Sequence, residues 1–410
     1  MTTRQQRRAS LYRRAARYAV TLLAVFLCYP GEIVAGGEFS GYAAAESRLY
    51  ANPPIFPGQE RHDASFVLQP EYYYEWEGGH SLTAVPLARI DSADDERTHF
   101  DIRELFALWV FERWEMGVGV RKVFWGVAES NHLVDIINQT DLVESIDGEE
   151  KLGQPMVNIS IPGDGGTLDL FLLPYFRERT FPGDAGRLRG GLVVDSDQTS
   201  YENGAGEYHL DFAVRYSRTI GDWEIGVSHF RGTGREPTLL PGTNTSGIPV
   251  LTPRYEQINQ TGIDAQLITG EWLWKVESIY RSGQGDSYAA LTGGFEYSLV
   301  GIAGSGMDLG IIAEWSYDDR GDRASSPLEN DMMFGLRLAV NDMASSEALL
   351  GMIQDLDSGA RLVSLESSRR FGNRWRASLE VRAFLSQPSD DPLYGLKDDD
   401  LMRGELAYYF

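Results

Sequence analysis

The feature that most constrains the fold is an alternation of apolar and polar residues with a period of two, which recurs from one end of the chain to the other. A period of two is typical of β-strands with two different faces. The runs extend over about 9–13 residues, the length that a tilted strand needs to cross the hydrocarbon layer of a membrane. The alternation is clearest in the stretches 65–76, 114–121, 209–217, 272–277, 307–317 and 375–383, some of which are only parts of a run.

The connections between these runs alternate in length. Turns of a few residues are predicted near 112–113, 162–166, 219–222, 269–271, 301–306, 341–346 and 371–374. Longer polar loops are predicted at 126–155, 176–207, 231–254, 319–330 and 386–399. Short turns at one rim and long loops at the other are characteristic of a closed antiparallel barrel in a membrane.

Counting strands from Ala64 gives about seventeen, and the segment from Phe39 to Tyr50 supplies one more, so that both ends of the barrel lie on the same side. We therefore predict an all-β fold, a transmembrane antiparallel β-barrel of about 18 strands, with about 16 as the alternative. The composition shows no break or linker. Residues 36–410 are expected to form a single domain.

Residues 1–35 have the features of an export signal. A basic segment with six arginines precedes the short apolar run from Tyr18 to Cys28, and small residues before Gly36 offer a cleavage site. The apolar run is too short to span a bilayer as a helix. We expect these residues to be removed after export by the general secretory route.

The composition excludes several classes of function. The chain carries 60 acidic and 37 basic residues, with a net charge of −23, which argues against nucleic acid as a partner. The single cysteine, Cys28, lies in the predicted signal, so the exported chain has no disulfide and no cysteine–zinc site. No catalytic motif and no histidine spacing typical of a metal site occurs. We expect no enzymatic activity, no cofactor and no metal.

The C-terminal run from Met402 to Phe410 alternates and ends on an aromatic residue, with Tyr408 and Phe410 on the same face of the strand. In this respect the chain resembles bacterial outer-membrane β-barrel proteins. The resemblance implies that Phe410 and Tyr408 form part of the signal read by the barrel-assembly machinery.

The loop 126–155 differs from the other predicted loops, because it combines seven acidic residues with a set of apolar ones. A loop surrounded by water needs no apolar face, so we expect it to pack against the inner wall of the barrel. Ser130 or Asn131 can cap a short helix that continues through Asn138.

At this loop the chain resembles general porins, in which the loop after the fifth strand folds into the lumen and narrows it. The resemblance implies a constriction in which acidic loop residues face basic residues of the wall. Carried over by position, the loop residues are Glu129, Asp135 and Asp141, and the wall residues are Arg89, Arg103 and Arg121.

Three further stretches, 121–126, 135–142 and 169–177, are similar to an uncharacterised group of porin-like proteobacterial outer-membrane proteins. The resemblance implies the outer membrane of a Gram-negative bacterium, contact with lipid and lipopolysaccharide, and a monomer or homotrimer. We expect a channel for small hydrophilic solutes. Two alternatives remain: a non-conducting barrel that acts as an adhesin, receptor or envelope-assembly accessory, and a channel for apolar compounds.

Overall fold

The computed structural model of the protein describes residues 37–389 and 391–410, and the predicted export signal lies outside them. Within these residues the chain forms 21 strands, of which 18 build one sheet and three build a second, small sheet. The strands of the large sheet are β1 (Gly37–Tyr50), β2 (His62–Trp76), β3 (His80–Asp91), β4 (His99–Val110), β5 (Glu115–Arg121), β6 (Gln154–Gly163), β7 (Gly166–Leu173), β9 (Asp211–Ile220), β10 (Trp223–Thr233), β13 (Gln257–Thr269), β14 (Trp272–Gly283), β15 (Gly285–Leu299), β16 (Asp308–Asp318), β17 (Asn330–Ala339), β18 (Glu347–Asp355), β19 (Arg361–Phe371), β20 (Trp375–Leu385) and β21 (Leu401–Tyr409).

The large sheet closes on itself. Each strand pairs antiparallel with the next one along the chain, and the first strand pairs with the last over the register from Tyr42 opposite Tyr409 to Tyr50 opposite Leu401. No edge strand is left open, which removes the unpaired backbone groups that an open sheet would expose. The predicted antiparallel barrel of 18 strands is confirmed.

The start of β1, the end of β21 and all the predicted short turns lie at one rim, here called the short-turn rim. The long connections lie at the opposite rim, the long-loop rim. Two of the predicted loops there are not purely irregular. They contribute a small sheet of β8 (Ser200–Tyr201), β11 (Thr238–Thr243) and β12 (Pro249–Tyr255). Short 3₁₀ turns span Asp95–Arg97, Ser196–Gln198, Gly206–Tyr208, Ile302–Gly304, Gly321–Arg323 and Pro392–Leu396.

The two faces of the wall carry different residues, as β14 illustrates. Its outward side chains Trp274 and Tyr280 are exposed, whereas its inward side chains Glu277 and Ile279 are buried. Aromatic residues gather along the outside of the short-turn rim: Trp76, Phe111, Trp114, Trp223, Trp272, Phe371, Trp375 and Phe410. An apolar exterior with an aromatic girdle is the surface of a barrel that crosses a membrane. In the described part of the chain, no helix has the length and apolar character needed to cross a membrane.

Candidate functional site: a loop inside the lumen

The connection between β5 and β6, residues 122–153, enters the barrel instead of extending from the rim. Its apolar residues Val134, Ile136 and Ile137 are at most 3% exposed. They belong to one buried cluster with inward side chains of the wall, namely Phe106, Met156, Phe171, Leu173, Ala213, Phe230, Ile258, Ile279, Tyr288 and Ala290. Because an 18-stranded barrel is too wide for its own side chains to fill, the loop supplies the missing core on this side.

Two wall carboxylates hold the loop backbone. Glu277 on β14 accepts hydrogen bonds from the backbone N–H groups of Val127 (2.7 Å), Ala128 (2.9 Å) and Val134 (3.1 Å). Glu314 on β16 accepts from the N–H groups of Glu129 (2.8 Å) and Ser130 (2.8 Å), and from the Ser130 hydroxyl. Both carboxylates are almost completely buried. They satisfy five loop N–H groups that would otherwise be left without partners in the interior.

Gly126 allows the loop to approach the wall this closely. Its φ angle is +146°, and a Cβ atom at this position would lie 2.9 Å from Oε1 of Glu277. Only glycine combines that backbone conformation with the absence of a side chain. The loop backbone can therefore reach the Glu277 carboxylate.

The far end of the loop contacts the opposite side of the barrel. Glu144 receives two hydrogen bonds from Arg89 of β3, from Nε at 2.8 Å and from a terminal guanidinium nitrogen at 2.6 Å. Asp147 forms an ion pair with Arg382 of β20. The loop therefore crosses the lumen from β14 and β16 to β3 and β20.

The short helix expected through Asn138 does not form, and residues 122–153 contain no regular helix. The Asn138 side chain accepts from the N–H of Val123 (2.8 Å) and donates to the carbonyls of Arg121 (2.9 Å) and Leu152 (2.8 Å). It thereby ties together the two ends of the loop. The helix prediction was wrong because wall carboxylates and side chains bind the backbone groups that a helix would have paired.

Of the three predicted loop acids, one pairs with a predicted wall arginine. Asp141 forms an ion pair of 2.6 Å with Arg103. The other two acids have partners that were not predicted: Glu129 pairs with Arg337 of β17 (2.7 Å), and Asp135 with Lys151 of the same loop (3.2 Å). The side chains of Asp135 and Asp141 are both 1% exposed, whereas that of Glu129 is 25% exposed and borders the remaining lumen.

The three predicted wall arginines have three different environments. Arg89 binds Glu144 and Glu46. Arg103 lies in a β-bulge. The adjacent residues Val85 and Pro86 of β3 pair with Glu104 and Ile102 of β4, so Arg103 between them has no partner on β3. Arg121 places its guanidinium 4.9 Å from the centre of the Phe106 ring and has no acidic partner among the ion pairs of the described residues.

The inner wall has a covered and an uncovered part. We call the inward faces of β10 and β13–β16 the covered wall, because their side chains are buried beneath the loop; examples are Phe230, Ile258, Glu277, Ala290 and Ile312. The inward faces of β18 and β19 form the uncovered wall, whose side chains Leu349, Ile353, Leu362, Ser364 and Glu366 are only partly buried or exposed. The remaining lumen therefore lies along β18 and β19.

Two loop residues have pKa values displaced in opposite directions. Burial works to raise the pKa of Glu144, but Arg89 and His99 outweigh burial and hold that pKa well below 4.5. Burial works to lower the pKa of His132, but the hydrogen bond to Glu149, at 2.8 Å, outweighs it and raises that pKa above 6.5. The loop thus contains two ion pairs that respond to opposite changes in pH.

The predicted assembly residues lie at the seam between the first and last strands. The Phe410 ring stacks on Phe39 with a centroid separation of 5.6 Å, and the Phe410 N–H donates to the carbonyl of Gly41. Tyr408 contacts Trp375 and accepts a hydrogen bond from Arg374. Their part in assembly remains a prediction.

Sequence reasoning missed Glu277, Glu314 and Glu144, which hold the loop. Glu277 and Glu314 looked like ordinary members of an acidic lumen lining. A usable signal was present on the same strands, where Ile279 and Ile312 place apolar residues on a face expected to meet water. Across residues 37–389 and 391–410, no group of three or more His, Cys, Asp or Glu side chains is arranged to hold a metal ion.

Comparison with solved structures relates the fold to that of known proteins. No protein-family model and no curated protein matches the sequence. Among solved structures, Wzi of Escherichia coli, described as an outer-membrane protein involved in group 1 capsule assembly and a carbohydrate-binding β-barrel, has a TM-score of 0.54 at 9% identity over 90% of this chain and 84% of that one. An engineered Rh. blastica porin (TM-score 0.43, 11% identity, 91% of this chain and 100% of that one) and the trimer form of OmpT of Vibrio cholerae (0.44, 10%, 92% and 100%) are more distant. The chain has the fold of bacterial outer-membrane β-barrels.

Proposed function

We propose that this protein is an outer-membrane channel for the passive diffusion of small hydrophilic solutes, constricted by the loop 122–153. The observation that carries the proposal is the incomplete coverage of the inner wall. The loop buries the covered wall, whereas Glu366 of β19 remains exposed towards the lumen. A barrel of this width encloses water wherever no protein fills it, so the uncovered wall provides a passage beside the loop.

In this proposal the predicted constriction residues have different tasks. Glu129 borders the passage and is held there by Arg337 and by Lys275 (3.7 Å). Asp135 and Asp141 are buried and fix the shape of the loop; Arg103 pairs with Asp141, and Arg89 holds the loop through Glu144. This division of tasks requires no catalytic residue.

Single-channel conductance in planar bilayers tests the proposal. Replacing residues 129–150 by a short Gly-Ser linker should raise the conductance several-fold, because it removes the segment that fills the lumen. Shortening the tip of the β11–β12 hairpin at residues 244–247, which lies at the rim, is the matched control and should leave the conductance unchanged. If neither the full chain nor the loop-deleted chain conducts, the protein is not a channel.

A second candidate is a closed barrel that serves as a receptor, adhesin or envelope-assembly accessory. The attachment of the loop to opposite walls favours it, since buried carboxylates hold one end and arginines hold the other. Wzi, which shares the fold, is described as a carbohydrate-binding barrel involved in capsule assembly. A full chain that folds without conducting would support this candidate.

A further inference from the structure

Two arginines of the wall and one arginine of the 3₁₀ turn Asp95–Arg97 converge on two adjacent residues of the loop. Arg89 of β3 donates two parallel hydrogen bonds to the Glu144 carboxylate. Arg48 of β1 donates to the Glu144 carbonyl (3.1 Å), and Arg97 donates to the Val143 carbonyl (2.9 Å). We call Arg48, Arg89 and Arg97 the arginine cradle.

The cradle is held by the wall and does not depend on the loop. A buried glutamate of β1, Glu46, pairs with Arg48 (3.0 Å), Arg97 (2.8 Å) and Arg89 (3.3 Å). All three guanidinium groups are at most 10% exposed. The cradle would therefore keep its geometry if the loop moved away, because wall carboxylates position its cations: Glu46 contacts all three, and Asp91 also pairs with Arg97 (2.6 Å).

The chemistry of the cradle fits a carboxylate. Two parallel N–H donors of an arginine match the two oxygens of a planar carboxylate, and the pairing is strong because both partners are charged. Arg48 and Arg97 direct donors at neutral carbonyl groups of the loop, although each could bind an anion more strongly. The loop therefore satisfies the cradle only in part.

A narrow cavity at the long-loop rim borders two arginines of the cradle, and Arg89 is not part of its lining. It is lined by Arg48 and Arg97 of the cradle, by Glu144, and by residues of the rim loops that include Glu60, Asp94 and Arg187. A solute arriving from that rim would meet the cradle before it met the covered wall.

We propose that the arginine cradle is a binding site for solutes that carry a carboxylate group, and that Glu144 occupies it as an internal competitor. Such a solute displaces Glu144 and releases this end of the loop from β3. The proposal that the solutes of the channel carry a carboxylate group rests on the channel function proposed above. The binding site, in contrast, exists whether or not the barrel conducts.

Calorimetric titration of the refolded full chain with succinate tests the site. Glu144→Gln should bind succinate at least tenfold more tightly than the wild type, because a neutral side chain competes less well and the apparent affinity rises with the fraction of vacant cradle. Glu150→Gln, which neutralises an exposed acid of the same loop, is the matched control and should leave the affinity unchanged. Adding Arg89→Gln to Glu144→Gln should abolish binding, and Arg89→Lys should weaken it because the paired donors are lost. Glucose should not bind.

Equal succinate affinity of the wild type and Glu144→Gln, each verified as folded by heat modifiability, would overturn the proposal. Inorganic phosphate binding as tightly as succinate would overturn the preference for carboxylates. Conductance in potassium chloride separates the two proposals. A chain that conducts but does not bind succinate would refute the proposed binding site alone. A chain that binds succinate but does not conduct would refute the proposed channel function alone.

Discussion

The covered and uncovered walls of the lumen are built by the same alternation of residues but differ in what their inward side chains contact. On the covered wall, Glu277 and Glu314 bind backbone N–H groups of the loop, and Ile279 and Ile312 pack near them. On the uncovered wall, Glu366 makes no side-chain hydrogen bond or ion pair with any described residue. An inward glutamate thus binds the loop backbone on the covered wall, whereas on the uncovered wall it lines the lumen. The loop, and not the residue type, decides which.

Arginine substitutions on the covered wall and on the two faces of β20 should give the largest difference. Ile312→Arg places a charge beneath the loop and should cost about 4 kcal/mol or more. Leu379→Arg, on the lipid face of β20, should cost about 2–4 kcal/mol. Ser378→Arg, one residue away and facing the lumen, should cost about 0.5 kcal/mol or less. Urea unfolding in lipid vesicles measures all three, and equal costs would show that the distinction between the faces is wrong.

Removing one carboxylate from each wall should separate anchor from lining. Glu277→Ala leaves three loop N–H groups without their acceptor, and a buried donor without a partner costs about 1–3 kcal/mol. We expect the loop to detach and trypsin to cleave at Lys151. Glu366→Ala should leave the loop as resistant as in the wild type. Equal resistance of both variants would mean that the Glu277 contacts do not hold the loop.

The pH dependence of the loop follows from its two displaced pKa values. His132 has a raised pKa, so its contribution is complete below pH 6.5 and is lost as the pH rises through the raised value. Glu144 has a lowered pKa, so its contribution is complete above pH 4.5 and is lost as the pH falls through the lowered value. The loop should be most resistant to cleavage by trypsin between pH 4.5 and pH 6.5, where both contributions are complete. In His132→Gln the loss on the alkaline side should disappear.

The smallest effect on the folded barrel is expected at the seam, which β20 separates from the uncovered wall. Phe410→Asp removes one aromatic contact, worth about 0.5–1.5 kcal/mol, and should scarcely change refolding into detergent or protection of the loop. Insertion in cells should fall much further, because we expect the assembly machinery to read the terminal aromatic residue. Normal cellular amounts of heat-modifiable barrel would contradict that expectation.

The sequence was sufficient for the barrel but not for the details of the loop. Alternation predicts the strands because each residue's face depends only on its neighbours along the strand, as in β14. The apolar residues of 126–155 also predicted that the loop packs on the wall, and Val134 and Ile137 do so. The partners of Glu129 could not be predicted in this way, because Arg337 and Lys275 are brought near it only by closure of the barrel.

The failed helix shows the same limit at the level of the backbone. Local propensity assigns the N–H groups after Ser130 to a helix, whereas the structure gives that of Val134 to Glu277, 143 residues away. Nothing near Val134 in the sequence indicates this acceptor. Similarly, the contact between Asp141 and Arg103 depends on a β-bulge that no local pattern marks.

The sequence separation of the loop's anchors has a consequence for the order in which the molecule can form. The contacts of the loop with Glu277 join residues up to 150 positions apart, those with Glu314 join residues up to 185 apart, and that between Asp147 and Arg382 joins residues 235 apart. Contacts between residues so distant along the chain form slowly, because long segments must first be brought together. The pairing of β5 with β6 does not by itself supply these contacts, because β14, β16 and β20 lie far beyond β6 along the chain. The loop can therefore reach its final position in the lumen only after β14, β16 and β20 have joined the wall, whatever the order in which they do so.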